Sequence, residues 1–267
     1  MMRWNVGSEL EESLDGISAV FLDLDGTIYL GDSLIEGAAK FLDRLENRGI
    51  KRFFLSNNSS KSVGQYLVKL RDLGIEADER EILLSTHDLI AWLAKEGVSE
   101  TYLVGTEGMS EMLEENGIST SSNEPELVVL GYDTEINYDK LSRASVHLHN
   151  GVPMVASHPD MVCPSPEGGL PDTGAYMALF EATTGARPVH VCGKPNKGMI
   201  LHKIEQIGLE ASECAMVGDR LYTDMEMAER AGVHGILVLS GEATLEDLGG
   251  SGMSPSLVVE SVGSLAL

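Results

Sequence analysis

Short apolar runs alternate with segments of helical periodicity along most of this chain. The first run ends at Leu22, and apolar residues then recur at helical spacing from Ala38 to Leu45, before Gly49. Further strand-like runs are Arg52 to Ser56, Tyr102 to Val104, Leu127 to Leu130, Met154 to Ala156, Val189 to Cys192, Ala215 to Val217, Ile236 to Leu239 and Leu257 to Val259. Strict alternation of strands and helices predicts parallel strands with helices packed on both faces. We therefore expect an α/β fold with a doubly wound, Rossmann-like parallel sheet.

The spacing of these runs also predicts how the chain is divided. A chain of 267 residues is long for one compact core and short for three. The interval from about Ser85 to Gly185 has its own β-α units and is long enough to form a second domain inserted into the first. We expect residues 1–84 and 186–267 to form one domain, and residues 85–185 to form the inserted α/β domain.

Polar clusters directly follow four of the predicted strands. They are Asp23 with Asp25, Ser56-Asn57-Asn58, Gly193-Lys194-Pro195 and Gly218-Asp219. Ligands bind at the carboxyl ends of parallel strands, so the clusters would converge on one edge if the four strands share a sheet. The two acids of the first cluster are two residues apart, which points both side chains the same way along an extended segment. A simple Asp-Gly turn is the alternative interpretation of that cluster.

The converging groups suit metal-assisted phosphoryl transfer. Asp23 and Asp219 offer the hard oxygen donors that Mg²⁺ takes in proteins. Ser56 offers a hydroxyl, and the peptide N–H groups of the two asparagines after it can donate to an anion. Lys194 supplies a positive charge for a phosphate, and Asp25 can protonate a leaving group and then activate water. Together these groups suggest transfer through an aspartyl-phosphate.

The four clusters resemble, in order, the four motifs of the haloacid-dehalogenase-superfamily phosphatases. The matching segments are Asp23-Leu24-Asp25-Gly26-Thr27, Ser56-Asn57-Asn58, Gly193-Lys194-Pro195 and Gly218-Asp219-Arg220-Leu221-Tyr222-Thr223-Asp224. The resemblance is closest to the NagD-like, p-nitrophenyl-phosphatase group, in which a large α/β cap is inserted between the second and third motifs. It extends over nearly the whole chain, including Ser157-His158-Pro159-Asp160 and Pro171-Asp172-Thr173-Gly174. The resemblance therefore implies a haloacid-dehalogenase core with an inserted cap.

The resemblance implies roles for the side chains of the first and last motifs. Asp23 would be the nucleophile and a Mg²⁺ ligand, and Asp25 would be the general acid/base with its backbone carbonyl on the metal. Asp219 would complete the metal ligands. Thr27 and Asp224 would support the metal ligands rather than bind the metal. Asp224 would do so by orienting the ligands or the motif lysine. An alternative is that Asp224 only caps the helix that begins near it.

The resemblance also implies that the second and third motifs hold the phosphoryl group. Ser56, Asn57 and Asn58 would bind its oxygens, and Lys194 would steady both the phosphate and the nucleophile. Turn formation and helix capping favour the same polar residues after Ser56, so a turn is the alternative for that segment. The alternative for Lys194 is a solvated loop lysine.

The cap segment departs from the family pattern at one position. NagD-like relatives commonly have Asn-Pro-Asp where this chain has His158-Pro159-Asp160. We expect His158 and Asp160 to bind the substrate, and we expect this change to alter substrate preference rather than the chemistry. The acids Asp160, Glu167 and Asp172 either contact the substrate or form a solvated acidic loop.

The net charge and the composition of the first residues indicate which partners and which location to expect for the protein. The formal net charge of −23 would repel nucleic-acid phosphates and anionic membranes, so we expect neither as a partner. Residues 1–15 lack the apolar segment of a secretory signal, which predicts a cytoplasmic protein. Scattered cysteines without a C-x-x-C pair predict reduced thiols. Capped relatives often pair through the cap, so the resemblance also suggests a homodimer.

The leading hypothesis is a Mg²⁺-dependent phosphatase of small phosphorylated metabolites, such as sugar phosphates, nucleotides or p-nitrophenyl phosphate. The alternatives are a phosphosugar mutase on the same scaffold, a phosphate-accepting regulator and an inactive binding protein. The acid two residues after Asp23 and the long insertion argue against a regulator, which needs neither. The presence of every expected reactive group argues against an inactive protein.

Overall fold

The fold is that of a computed structural model, which describes residues 14–163 and 168–265. The strands are β1 (Ala19–Asp23), β2 (Tyr29–Leu30), β3 (Ser33–Leu34), β4 (Lys51–Ser56), β5 (Ile82–Leu84), β6 (Thr101–Val104), β7 (Leu127–Leu130), β8 (Met154–Ala156), β9 (Val162–Cys163), β10 (Leu170–Pro171), β11 (Pro188–Val191), β12 (Cys214–Gly218), β13 (His234–Val238) and β14 (Leu257–Val259). The α-helices are α1 (Ala38–Asn47), α2 (Val63–Asp72), α3 (Ser85–Glu96), α4 (Glu107–Glu115), α5 (Tyr138–His149), α6 (Thr173–Thr184), α7 (Gly198–Ile207), α8 (Glu226–Ala231) and α9 (Leu245–Ser251). A π-helical segment, Leu221–Met225, leads into α8. Among these described helices, none is both long enough and apolar enough to cross a bilayer.

The chain forms two compact units. The first unit comprises Met1–Ser56, Leu67–Leu83 and Pro195–Leu267, and the second comprises Asn57–Tyr66 and Leu84–Lys194. The second unit therefore takes in a short segment after Ser56 and extends to Lys194, whereas the sequence suggested an inserted domain over residues 85–185. The functional domain limits stay a prediction.

A six-stranded sheet organises the first unit, in the order β14-β13-β12-β1-β4-β5. β1 lies between β12 and β4 and pairs with both in parallel, and β13 pairs in parallel with β12 and β14. All five residues of β1 are buried, as expected for a central strand of a parallel sheet covered on both faces. Phe21 of β1 and Phe53 of β4 stack with their ring centroids 5.4 Å apart, in a cluster shared with Met199 and Ile200 of α7.

A four-stranded parallel sheet organises the second unit, in the order β11-β8-β7-β6. Alternate residues of β7 pack on opposite faces of this sheet. Leu127 and Val129 join residues of α3 and α4 in one buried cluster, and Val128 and Leu130 join residues of α5 and α6 in another. The parallel α/β fold predicted from the alternation of strands and helices is therefore confirmed.

One expectation about the sheets is wrong. The four polar clusters do not follow strands of a single sheet, because β11, which precedes Gly193-Lys194-Pro195, pairs with β8 in the second unit. Val191 packs into the apolar cluster of α5 and α6, and the Cys192 N–H donates to the Ala156 carbonyl at 2.9 Å. The pairing of this edge strand depends on tertiary contacts, which the sequence period alone does not reveal.

Two of the cysteines are reduced thiols, as the sequence predicted. Cys192 and Cys214 are buried free thiols. Burial raises the pKa of both thiols, that of Cys214 to about 11. Both are therefore packing residues rather than nucleophiles.

Candidate active site

Three acids of the first unit come together where its central strands end. Asp23 is the last residue of β1, Asp219 directly follows β12, and Asp224 lies in the π-helical segment. Their carboxylate oxygens lie within 4.8 Å of one another, and all three side chains are buried. The parallel pairing of β1 with β12, with Leu22 opposite Val217, brings the two strand ends together. This convergence of Asp23 and Asp219 is the one that the sequence predicted.

The loop after β13 fixes the Asp219 carboxylate. Asp219 Oδ2 accepts the N–H of Glu242 at 2.7 Å, and the Asp219 carbonyl accepts the N–H of Ala243 at 3.0 Å. A Cβ at Gly26 or Gly241 would lie 2.4 Å or 2.0 Å from the same Oδ2, so a side chain at either position would displace the carboxylate. The sequence analysis missed Gly241 and Glu242, because a glycine in a Gly/Ser-rich tail has no distinguishing signal.

Asp224 is oriented by the backbone of its own segment. Its Oδ2 accepts the N–H of Arg220 at 3.1 Å, and a Cβ at Gly218 would lie 2.4 Å from its Cγ. Met225 is the N-cap of α8, and no side chain makes a capping hydrogen bond there. Asp224 is therefore not the N-cap of α8, but its carboxylate accepts the N–H of Arg220, the N-cap of the π-helical segment, which is a contact of the capping kind. A π-helical turn inside a helical segment is frequently found at functional sites.

Arg220 is a charged residue of the last motif to which the sequence analysis gave no role. Its Nε lies 3.0 Å from Glu242 Oε2, and its side chain is mostly buried. Burial by itself lowers the pKa of the guanidinium, but the nearby charges of Asp23 and Asp219 outweigh that effect and raise the pKa overall. The Arg220 cation therefore offsets part of the negative charge that the buried acids concentrate.

Asp25 and Thr27 differ from the buried acids. β1 ends at Asp23, so the strand alternation does not extend to Asp25, which is exposed and accepts a hydrogen bond from the Tyr29 hydroxyl at 3.4 Å. That the carboxylates of Asp23 and Asp25 emerge together stays a prediction. Thr27 is fully buried, and its hydroxyl has no hydrogen-bond partner within residues 14–163 and 168–265.

The side chain of Asn57 pairs with the backbone of Lys194 in the second unit. Asn57 Oδ1 accepts the Lys194 N–H at 2.7 Å, and Asn57 Nδ2 donates to the Lys194 carbonyl at 3.0 Å. Gly193, with a φ of 70°, makes this approach feasible, because a Cβ there would lie 2.7 Å from Asn57 Oδ1. The Asn57 carbonyl also accepts the Ser85 hydroxyl at 2.7 Å. The second and third sequence motifs are thus joined through Asn57, although 137 residues separate it from Lys194.

Ser56 and Asn58, the neighbours of Asn57, lie in different structural surroundings. Ser56 is the buried last residue of β4 in the first unit. Asn58 Oδ1 accepts the N–H of Ser60 at 3.0 Å and its hydroxyl at 2.6 Å, which is an Asx-type turn. The turn that the sequence analysis kept as an alternative is therefore what the Asn58 side chain forms.

A second group of potential ligands lies within the second unit. It consists of His158, Asp160 and Asp172, with one ligand atom from each within 4.8 Å of the others. His158 is fully buried; its Nδ1 lies 3.6 Å from Asp160 Oδ2 and its Nε2 lies 3.5 Å from Asp172 Oδ1. Burial raises the pKa of the Asp172 carboxyl, although the nearby His158 acts in the opposite direction. Glu167 lies outside the described residues.

Comparisons with known proteins agree with the motifs. Residues 20–119 match the family model of haloacid dehalogenase-like hydrolases, and residues 191–265 match a HAD-hydrolase-like model. The chain is 34% identical over 240 residues to the acid sugar phosphatase of Staphylococcus epidermidis, over 89% of this chain and 92% of that protein. It is 38% identical to the 4-nitrophenylphosphatase of Thermotoga maritima, with a TM-score of 0.91 over 95% of this chain and 97% of that one. It is 27% identical to NagD of Escherichia coli, with a TM-score of 0.85 over 92% of this chain and 97% of that one.

Proposed function

The chain belongs to the haloacid dehalogenase-like hydrolases, and from this premise we propose that it is a Mg²⁺-dependent phosphatase of small phosphorylated metabolites. The observation that carries the proposal is the buried group of Asp23, Asp219 and Asp224 where β1 and β12 end. The names of two relatives, an acid sugar phosphatase and a 4-nitrophenylphosphatase, support phosphoric monoesters as the substrate class.

In this proposal Asp23 is the nucleophile. One of its oxygens attacks phosphorus, and the bond between phosphorus and the leaving-group oxygen breaks as the phosphoryl group moves to the carboxylate. Asp25 gives its proton to the leaving oxygen and then takes a proton from water. The water oxygen attacks phosphorus, which releases inorganic phosphate and restores the Asp23 carboxylate. The exposure of Asp25 suits a group that exchanges protons in each half-reaction.

The donor set of the first unit fits a divalent cation. Asp23 and Asp219 would hold Mg²⁺ together with the backbone carbonyl of Asp25, and Asp224 and Thr27 would support these ligands from behind. Three buried carboxylates repel one another, and oxygen donors of this kind are those that Mg²⁺ prefers. When bound, the ion would neutralise the carboxylates and stabilise the charge on the phosphoryl oxygens.

In this proposal the second and third motifs bind the phosphoryl group. The Ser56 hydroxyl, the peptide N–H groups of Asn57 and Asn58, and the Lys194 ammonium group would bind its oxygens. The side chains of both asparagines already make hydrogen bonds within the second unit, so their proposed contribution comes from the backbone. Lys194 would also steady the nucleophile Asp23.

Phosphate release from a panel of sugar phosphates, nucleotides and p-nitrophenyl phosphate tests the proposal. We expect release that requires Mg²⁺, stops with EDTA and is absent from a folded Asp23→Asn variant. A folded wild-type protein that releases no phosphate would overturn the proposal. An isomerised sugar phosphate would instead indicate a mutase, and a stable phosphoprotein would indicate a regulator.

The proposal extends to partners and location. The net charge of −23 supports a protein without nucleic-acid or membrane partners, because long-range repulsion opposes both. A cytoplasmic location and pairing of two copies through the cap remain part of the proposal. Light scattering of the purified protein measures the pairing directly.

A further inference from the structure

A continuous series of polar contacts in the second unit runs from the start of α6 to Lys194. Its members, in order of contact, are Thr173, His158, Asp160, Asn57 and Lys194. We propose that His158 and Asp160 are positioning residues, which fix the orientation of the Asn57 amide and thereby the backbone of Lys194. The inference rests on the proposed function, because that function assigns Lys194 to the phosphoryl group.

The Asn57 amide can pair with Lys194 in only one of its two orientations. In the observed orientation its oxygen accepts the Lys194 N–H at 2.7 Å and its nitrogen donates to the Lys194 carbonyl at 3.0 Å. A rotation of the amide by 180° would place acceptor against acceptor and donor against donor, and both hydrogen bonds would be lost. The position of the lysine backbone therefore depends on which way this amide points.

Asp160 selects the observed orientation. Asn57 Nδ2 also donates to Asp160, at 3.3 Å to Oδ1 and 3.2 Å to Oδ2. In the rotated amide the Asn57 oxygen would face this carboxylate, whose side chain is only 11% exposed and therefore little screened by water. A hydrogen bond to an ionised acceptor is stronger than one between neutral groups, so the Asp160 charge adds to the preference for the observed orientation.

His158 lies against Asp160 as a near polar neighbour, not as a hydrogen-bond partner. Its Nδ1 lies 3.6 Å from Asp160 Oδ2, and its Nε2 lies 2.9 Å from the hydroxyl of Thr173, the first residue of α6. The ring is fully buried and has no surface to offer a substrate. The sequence suggested that His158 binds the substrate. In this proposal its role is instead indirect, and it keeps the Asp160 side chain in place beside Asn57.

A metal ion is the competing interpretation of this group. His158, Asp160 and Asp172 have suitable donor atoms, but most of these atoms are already engaged. Asp160 accepts from Asn57, and Asp172 accepts the Thr173 N–H at 2.6 Å as the N-cap of α6. The Nε2 of His158 also lies 2.9 Å from the Thr173 hydroxyl. These contacts favour a series of polar contacts over an ion site.

Asp160→Asn tests the inference, and Asp172→Asn is its matched control. The first change removes the charge that selects the Asn57 orientation. The second removes a charge on the opposite side of His158, and asparagine keeps the N-cap of α6. We expect kcat for p-nitrophenyl phosphate to fall roughly tenfold to a hundredfold in D160N, with a smaller change in KM, and to stay near wild type in D172N. D160E, which keeps the charge, should recover part of the loss.

Nuclear magnetic resonance gives a readout that does not depend on turnover. The side-chain amide signals of Asn57 and the backbone amide signal of Lys194 should shift in D160N and stay in place in D172N. If these shifts occur but the wild-type protein releases no phosphate, the proposed function fails and the positioning role stands. Unchanged Asn57 signals in D160N, or equal kcat losses in D160N and D172N, would overturn the inference. Zn²⁺ alone raising the Tm of wild type but not of D160N would also overturn it, in favour of a metal site.

Discussion

Each unit buries a group of three potential ligands, and the two groups differ in what surrounds them. The groups are Asp23, Asp219 and Asp224 in the first unit, and His158, Asp160 and Asp172 in the second. In the first unit, Gly26 and Gly241 pack closely on the Asp219 carboxylate, and a Cβ at these positions would lie 2.4 Å or 2.0 Å from its Oδ2. In the second unit, the Asn57 amide and the start of α6 supply hydrogen bonds to the acids. Donor type alone therefore does not distinguish the two groups, whereas the contacts of the donors do.

The two groups also handle their charge differently. In the first unit, the acids raise the pKa of Arg220, so a permanent cation lies beside them. In the second unit, burial raises the pKa of Asp172, so the surroundings favour its neutral form relative to water. A concentration of carboxylates beside a cation suits an ion and a phosphoryl group, while a single acid whose neutral form is favoured suits a structural role.

The largest expected effect is the loss of the nucleophile in the first unit. Asp23→Asn should lower kcat for p-nitrophenyl phosphate by at least about 10⁴-fold, because an amide is a poor nucleophile. The Tm should change little, since the amide is isosteric with the carboxylate. Asp172→Asn, an equivalent change in the other group, is the control and should retain activity. Similar losses in both variants would remove the distinction between the two groups.

The second effect tests the close contact between Gly241 and the Asp219 carboxylate of the first group. Gly241→Ala should lower activity by roughly a hundredfold or more and raise the Mg²⁺ concentration needed for half-maximal rate, because its Cβ would lie 2.0 Å from Asp219 Oδ2. Gly249→Ala is the matched control, since nothing lies within 4 Å of a Cβ there. Kinetics at varied Mg²⁺ concentration measure both quantities. An active Gly241→Ala enzyme with unchanged Mg²⁺ dependence would contradict the assignment of Asp219.

The third effect tests the close packing beside Asn57 in the second unit. Gly193→Ala combines a left-handed φ of 70° with a Cβ 2.7 Å from Asn57 Oδ1, so we expect a loss of about 2–3 kcal/mol in the free energy of unfolding. Gly185→Ala has a similar φ of 76° with nothing within 4 Å, and should lose only about 1 kcal/mol. Denaturant unfolding compares the two. Equal losses would show that the contact with Asn57 adds nothing.

The sequence predicts some features of the two units and not others. The strands Leu127–Leu130 and Met154–Ala156 have the predicted bounds, because buried parallel strands are continuous apolar runs. The pairing of β11 with β8 was not predicted, since strand patterns do not specify the partner strand. Contacts between distant loops, such as Gly241 with Asp219 and Asn57 with Lys194, depend on tertiary packing, which no local pattern encodes.

The fourth effect distinguishes direct from indirect action of His158. His158→Asn should lower kcat by about tenfold on every substrate alike, because the fully buried ring acts through Asp160 and Asn57. Relative kcat/KM values across sugar phosphates, nucleotides and p-nitrophenyl phosphate measure this. A change in the ranking of substrates, with p-nitrophenyl phosphate little affected, would instead support the direct contact that the sequence suggested.

The smallest effect concerns stability, and its sign follows from the raised pKa of Asp172. Burial makes the folded protein hold the Asp172 proton to higher pH than the unfolded chain does, so stability falls as pH rises from the unfolded pKa through the folded pKa. Asp172→Asn removes this penalty while keeping the N-cap, so the variant should be the more stable protein at pH 7. The gain should shrink as the pH falls and vanish below the usual aspartate range, where the carboxyl is protonated in both states. Thermal unfolding of both proteins from pH 3 to pH 8 measures it. A variant that is less stable at pH 7 would mean that the attraction between Asp172 and His158 exceeds the cost of burial.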